Sequence, residues 1–219
     1  KKHLNQNLSE GKKLFKCFYA NGTKKIILIG SSSEYGGSQG RLKEDLEIST
    51  FQNLYVEGKH KLAEFGIKEA KLNEKLFLHV RLFYAYGAGQ RENSLINQLF
   101  FNAIHNKAIS LTPCDHFRDY IYIDDVVTGI EKLFRFKQSQ IVNLGSGNAI
   151  QLRKFVEKFW KKLNNDLTLL KFGSKGLPLK QQLQPRAYAD LSKLENITNW
   201  IPQINVDEGI SKTINLLKK

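Results

Sequence analysis

The stretch from Ile26 to Tyr86 constrains the fold of this chain more than any other. Ile26–Ile29 is a short run, wholly apolar and rich in branched side chains, which suits a strand covered on both faces. A polar segment rich in Ser and Gly follows over residues 31–50, and a loop of that length inside a compact domain is usually functional. Phe51 to about Leu72 returns to helical spacing, and Leu76–Tyr86 reads as a second buried strand. Strand, crossover helix, strand is the signature of a parallel sheet with helices on its faces. The class is α/β.

The rest of the chain alternates in the same way. Residues 4–19 form a helical pattern through Leu4, Leu8, Leu14, Phe15 and Phe18, stopped by Asn21-Gly22. Further on, the spacing predicts a helix over 94–106, a strand over 119–123 and a helix capped by Asp124 that runs to about Phe136. A strand at 140–144, a helix at 151–163 and a strand at 167–172 follow. Residues 173–189 hold two of the four prolines and read as irregular. A final helix starts after Asp207, with Ile210, Ile214 and Leu217 on one side.

Composition excludes several classes. Of 219 residues, 41% are hydrophobic and 25% charged, which rules out disorder and collagen-like repeats. No apolar run approaches the ~20 residues of a membrane span, and no basic segment leads into a secretory-type apolar core. Cys17 and Cys114 are far apart and read as reduced thiols, so a cytoplasmic protein is expected. The net charge is +13, but only seven of the 34 basic residues are arginine and the lysines are scattered. A solvated lysine-rich surface explains this better than a nucleic-acid face. The expectation is no nucleic-acid and no membrane partner. There is no methionine, even at position 1, so the chain is expected to be a piece of a longer product.

The chemistry concentrates at Tyr55 and Lys59, four apart on the predicted helix and therefore on one face. An ammonium beside a phenol favours the phenolate, making a proton acceptor that works near neutrality. Ser31-Ser32-Ser33-Glu34-Tyr35-Gly36 follows directly on the first strand, placing hydroxyls at its carboxyl end, where ligands bind in open parallel sheets. A serine, a tyrosine and a lysine converging there would form a proton relay. The histidines at 60, 79, 105 and 116 show no ligand spacing and no shared partner, and they read as packing or surface residues; no metal site is expected. Asp124-Asp125 reads as a helix cap, Gly145-Ser146-Gly147 as a turn, and Trp160 and Trp200 as core anchors.

Ile26–Gly36 followed by Tyr55–Lys59 resembles the extended short-chain dehydrogenase/reductase family, specifically its NAD-dependent nucleotide-sugar epimerases and dehydratases. The resemblance continues through Arg81–Gly87, Phe117–Val127, Val142–Gly147 and Asn199–Pro202 in family order. It implies a partial Rossmann-type doubly wound parallel sheet with a smaller C-terminal α/β subdomain. Residues 1–87, joined by 118–137, would be the later part of the cofactor-binding domain, and 88–219 mainly the substrate region. By the same resemblance Ser31 is the catalytic serine, with Ser32 as an alternative. Tyr55 is the acid/base, and Lys59 holds the cofactor ribose and lowers the Tyr55 pKa. Asn7 and Tyr84 would lie on the cofactor as well. Arg118 would grip a nucleotide diphosphate, with Ser94 and Leu95 in the supporting stretch and Lys180 where the family commonly has a second arginine. The implied cofactor is NAD, with NADP left open, and the implied partner is a nucleotide-diphosphate sugar; a homodimer is also implied.

Three departures qualify the resemblance. Lys180 keeps a charge but loses the bidentate fork of arginine. Tyr84 and Ala85 stand where many members have an asparagine. The GxxGxxG turn that opens the family's sheet is absent, along with on the order of 80 residues at about 30 per strand–helix–strand unit. The serine turn lacks the Thr-Asp-Glu run of sugar 4,6-dehydratases, which leaves a 4-epimerase or 4-keto-reductase as the preferred type. The rival expectations are a non-catalytic nucleotide-sugar-binding remnant, or a subunit completed by a separate N-terminal piece.

Overall fold

The computed structural model describes residues 2–48, 51, 53–176 and 186–219, with side chains from Leu8 onward. Strands β1 (Lys25–Ile29), β3 (Leu76–Leu82) and β7 (Gln140–Leu144) form a parallel sheet in the order β1-β3-β7. Helices α1 (Lys2–Ala20) and α2 (Leu54–Leu72) pack together on one face, and α4 (Ile123–Arg135) covers the other. The apolar strand pattern therefore reports a sheet sandwiched between helices.

Side chains along β3 alternate between these faces, as a pleated strand requires. Phe77 meets Phe15, Tyr19 and Ala70 on the α1/α2 side, with the rings of Phe15 and Phe77 edge to face at 5.4 Å. Leu78 and Val80 meet Val126 and Leu133 on the α4 side. Helix α2 lies so close to β3 that a Cβ on Gly66 would fall 2.2 Å from Phe77. Lys25, opening β1, donates to the carbonyls of Leu133, Phe134 and Phe136 at 2.7, 2.7 and 2.5 Å. Its ammonium thus adds a cationic donor to the carbonyls at the end of α4, of which that of Leu133 also accepts the Phe136 N–H.

A second core lies under α3 (Leu95–Ile104), α5 (Leu152–Lys161) and α7 (Val206–Leu217). Leu99, Phe155, Phe159, Trp160 and Ile210 fill it, each burial contributing about 1.5–3 kcal/mol. Around it run β4 (Tyr84–Tyr86), β6 (Phe117–Tyr122) and β8 (Ala149–Gln151), with β6 parallel to β4 and antiparallel to β8. Strand β6 divides the two cores: Tyr122 joins the second, and its neighbour Ile121 joins the first. Among the described residues no helix is long and apolar enough to cross a membrane.

Several sequence expectations need correction. The polar stretch 31–50 is not all loop: it holds a 3-10 turn at Ser32–Tyr35 and β2 (Gly40–Leu42), which pairs in parallel with β10 (Ala187–Ala189). Both strands are three residues long, too short for a periodic signal. The run at 76–86 breaks at Phe83, where the chain leaves β3 for β4 in another sheet. Residues 149–151 form β8 ahead of α5, and 167–172 divide into a 3-10 turn and β9 (Leu170–Phe172), paired with β5 (Ile109–Leu111). Helix α6 (Ser192–Thr198) was not expected. Asp124 is not the cap of α4: that position is Tyr122, without a side-chain cap bond, and Asp124 sits in the first turn. Asp125 instead turns inward and accepts the backbone N–H groups of Gln203 and Ile204 at 3.0 and 2.8 Å.

Candidate active site

The serine segment leaves the end of β1 and turns at once. Ser31 caps the 3-10 turn, its Oγ accepting the Ser33 N–H at 3.2 Å, while Glu34 accepts the Ser31 N–H at 2.8 Å. Both halves of a capping box are thus present in a one-turn helix. Glu34 and His79 are wholly buried, and His79 Nε2 lies 2.8 Å from Glu34 Oε2. His60 Nδ1 of α2 and Arg81 Nε of β3 approach the same oxygen at 3.7 and 3.8 Å. Burial alone would push the Glu34 carboxyl up; the contacts from His60, His79 and Ser31 outweigh it and hold the group at about 2. Gly30 makes room for this cluster, since a Cβ there would lie 2.3 Å from His79. His60 and His79, expected to share no partner, converge on one carboxylate.

A second buried network continues from the first. The Arg81 guanidinium lies 4.5 Å over the Tyr35 ring, and Tyr35 donates to Asn143 Oδ1 at 2.7 Å. The Asn143 N–H in turn donates to the Glu44 carboxylate at 2.8 Å. Polar residues at alternate positions of β3, His79 and Arg81, therefore anchor the serine turn from below.

Lys59 docks α2 onto β1 by donating to the carbonyl of Ile29 at 3.2 Å. Its ammonium sits 5.3 Å over the ring of Tyr55, one turn earlier, so the two share a face as the spacing predicts. Tyr55 is 61% exposed. Asn53 caps the helix, its side chain accepting the Val56 N–H at 3.0 Å.

Arg118 is buried on β6, donates to its neighbour's carbonyl at Phe117 (2.7 Å) and lies 4.7 Å over the Tyr84 ring. Among the described residues no carboxylate pairs with it. Arg118 and Tyr84 line two adjoining cavities. A narrow one of about 50 Å³ also touches Ser32, Ser33, Tyr35 and Phe83. The larger, about 360 Å³, is walled by Tyr86, Gln90, His116, Tyr120 and Phe155, with Leu95 and Ile96 at the first turn of α3. That volume lies within the usual range for small-molecule sites. Tyr120 stacks on Phe155 at 4.3 Å, giving the wall a flat apolar face. Ser94 caps α3, accepting the Asn97 N–H at 3.3 Å, and Leu95 and Ile96 bring the positive end of the helix to the cavity wall.

Of the residues singled out from sequence, Ser32, Tyr84, Leu95 and Arg118 line these cavities, and Ser94 caps the helix at their edge. Ser31, Tyr55 and Lys59 gather at the carboxyl end of β1. Asn7 falls within α1, but its side chain is outside the described residues, as is the whole of Lys180. Sequence reasoning missed His116, Gln90 and Tyr120. The available signal was the alternation 116, 118, 120 along a strand that already carried Arg118.

A parallel sheet between helix layers, with a serine turn at a strand end and a Tyr–Lys helix beside it, defines a Rossmann-type fold. Residues 2–145 match the NAD dependent epimerase/dehydratase family, and the chain belongs to that family. It is 26% identical to the UDP-glucuronate 4-epimerase of Thermodesulfobacterium geofontis, over 99% of this chain and 66% of that protein. It is 29% identical to the dTDP-4-dehydro-6-deoxyglucose reductase of Escherichia coli, over 93% of this chain and 65% of that protein. Among solved structures, UDP-glucuronic acid 4-epimerase from Bacillus cereus, in complex with UDP-glucuronic acid and NAD, superposes with a TM-score of 0.80. That match has 22% identity and covers 97% of this chain and 67% of the other. The dTDP-glucose 4,6-dehydratase of Bacillus anthracis gives 0.85 at 19% identity, over 98% and 68%. The chain thus spans about two thirds of the length of the relatives it matches.

Proposed function

We propose that this chain carries the proton-transfer and substrate-holding parts of an NAD-dependent enzyme that modifies a nucleotide-diphosphate sugar, of the 4-epimerase or 4-keto-reductase type. The carrying observation is Arg118: a buried guanidinium with no carboxylate partner among the described residues, facing a cavity beside a helix N-terminus. A buried cation is costly unless an anion meets it, and the planar fork suits a diphosphate. Four-position chemistry agrees with relatives that include a 4-epimerase and a 4-keto-sugar reductase by name.

The residues at the end of β1 fit a dinucleotide cofactor. Lys59 has three N–H donors and uses one on Ile29, leaving donors for ribose hydroxyls beside the exposed Tyr55. NAD, when bound, supplies the hydride acceptor or donor. Tyr55 Oη takes the proton of the reacting sugar hydroxyl, with the Lys59 ammonium placed over its ring. A serine hydroxyl polarises the same oxygen. Ser31 Oγ accepts the cap N–H and keeps its own O–H to donate, while Ser32 lines the cavity, so both hydroxyls stand as candidates for this contact.

The test is calorimetric titration of the chain with UDP-glucose, for the native protein and Arg118→Ala. Loss of a charge-assisted clamp should weaken binding by about 10–100-fold. Equal affinities would remove Arg118 from the site, and no binding by the native chain would overturn the nucleotide-sugar reading.

A further inference from the structure

We propose that His116 is a proton-linked contact for the diphosphate of the bound nucleotide sugar, neutral in the empty cavity and protonated when the ligand is in place. This rests on the nucleotide-sugar reading and adds to it a residue and a regulatory property of the same site.

Position comes first. His116 immediately precedes β6, two residues before Arg118 and four before Tyr120, and all three line the 360 Å³ cavity. Alternation along an extended chain puts them on one side. The half-buried imidazole thus belongs to the same wall as the guanidinium assigned to the diphosphate. Its backbone is fixed, since its carbonyl accepts the Leu152 N–H at 2.9 Å.

Burial and charge together set its state. The charged groups around it are Arg118 on β6, the adjacent Asp115, and Arg153 in the first turn of α5, whose Nε lies 4.0 Å from the Asp115 carboxylate. The other titratable neighbours are the phenols of Tyr84 on β4 and Tyr120 on β6, with the Cys114 thiol beside Thr112. Helix α3 presents only Leu95 and Ile96 to the cavity. Burial, then the Arg118 charge, hold the imidazole down at about 4, with Asp115 opposing weakly. Without ligand it is neutral at pH 6–7.

A diphosphate on Arg118 reverses that balance. It cancels the Arg118 repulsion, the second of the two causes that discharge the imidazole, and it places anionic oxygens beside a ring able to donate from nitrogen. Opposite charge within about 4–6 Å favours the protonated form. Binding is then linked to uptake of a proton, and affinity rises as pH falls, by up to about tenfold per pH unit while His116 is neutral in the free protein and charged in the complex.

The experiment titrates the full 219-residue chain with UDP-glucose, whose two phosphoryl groups each carry one ester and the shared anhydride bond and exchange no proton between pH 5 and 8. Measuring at pH 6.0 in two buffers of different ionisation enthalpy gives the number of protons taken up. Uptake of between about half and one proton is expected for the native protein. His116→Gln should show uptake near zero and an affinity that no longer varies from pH 5.5 to 7.5. Binding without proton uptake, or uptake that persists in His116→Gln, overturns the proposal and leaves the nucleotide-sugar reading standing. Failure of the native chain to bind UDP-glucose overturns both.

Discussion

Glu34 shows how far a single residue departs from its surroundings in the sequence. It lies between serines and a tyrosine, yet it is wholly buried against His79 with His60 and Arg81 beside it. Its carboxyl is held at about 2 against an ordinary 4.5, so the folded state binds its proton less tightly than the unfolded state. The resulting stability is fully present above about pH 4.5 and lost as pH falls toward 2, amounting to about 3 kcal/mol. Glu34→Gln should flatten the dependence of the urea midpoint on pH between 5 and 3; a slope equal to that of the native protein would disprove the assignment. This cluster was not legible in the sequence because its members are 26 to 47 positions from Glu34. A signal did exist: His79 and Arg81 interrupt an apolar strand at alternate positions, and buried polar groups require partners.

At the scale of elements, the legible parts are those with strong local periodicity. The branched run of β1, the alternation of β3 and the Tyr–Lys spacing on α2 are local patterns, and the structure places them as such. Strands β2 and β10 were missed because a three-residue strand carries no period and is defined only by its distant partner. Docking of α2 on β3 depends on Gly66, where a side chain would collide with the Phe77 ring. Gly66→Ala should cost about 1–3 kcal/mol by overpacking, read as a lower urea midpoint with unchanged slope. An unchanged midpoint would mean that the ring moves aside without penalty. In the same helix, Lys59 holds the other end of the contact through Ile29, so the Tyr55 face is fixed at two points seven residues apart.

Across the whole molecule, two cores meet along β6. Trp160 is buried in the second core and Trp200 packs against the first, which gives each its own optical probe. Because Ile121 and Tyr122 serve different cores, neither can melt alone without stripping β6 from the other. Trp160→Phe and Trp200→Phe variants, each retaining one tryptophan, should therefore unfold over the same range of denaturant relative to their own circular-dichroism transitions; separate transitions would refute the coupling. Asp119 on the same strand reinforces the join by accepting from Ser146, Gly147 and Ala189 at 2.6–3.0 Å. The division between the two cores thus runs through single positions of one strand and does not fall between two segments. A chimera with a relative, cut beside β6, would inherit a strand matched to its own parent's core on one face and mismatched on the other. Core packing in such a protein is partitioned by alternate side chains, not by contiguous blocks.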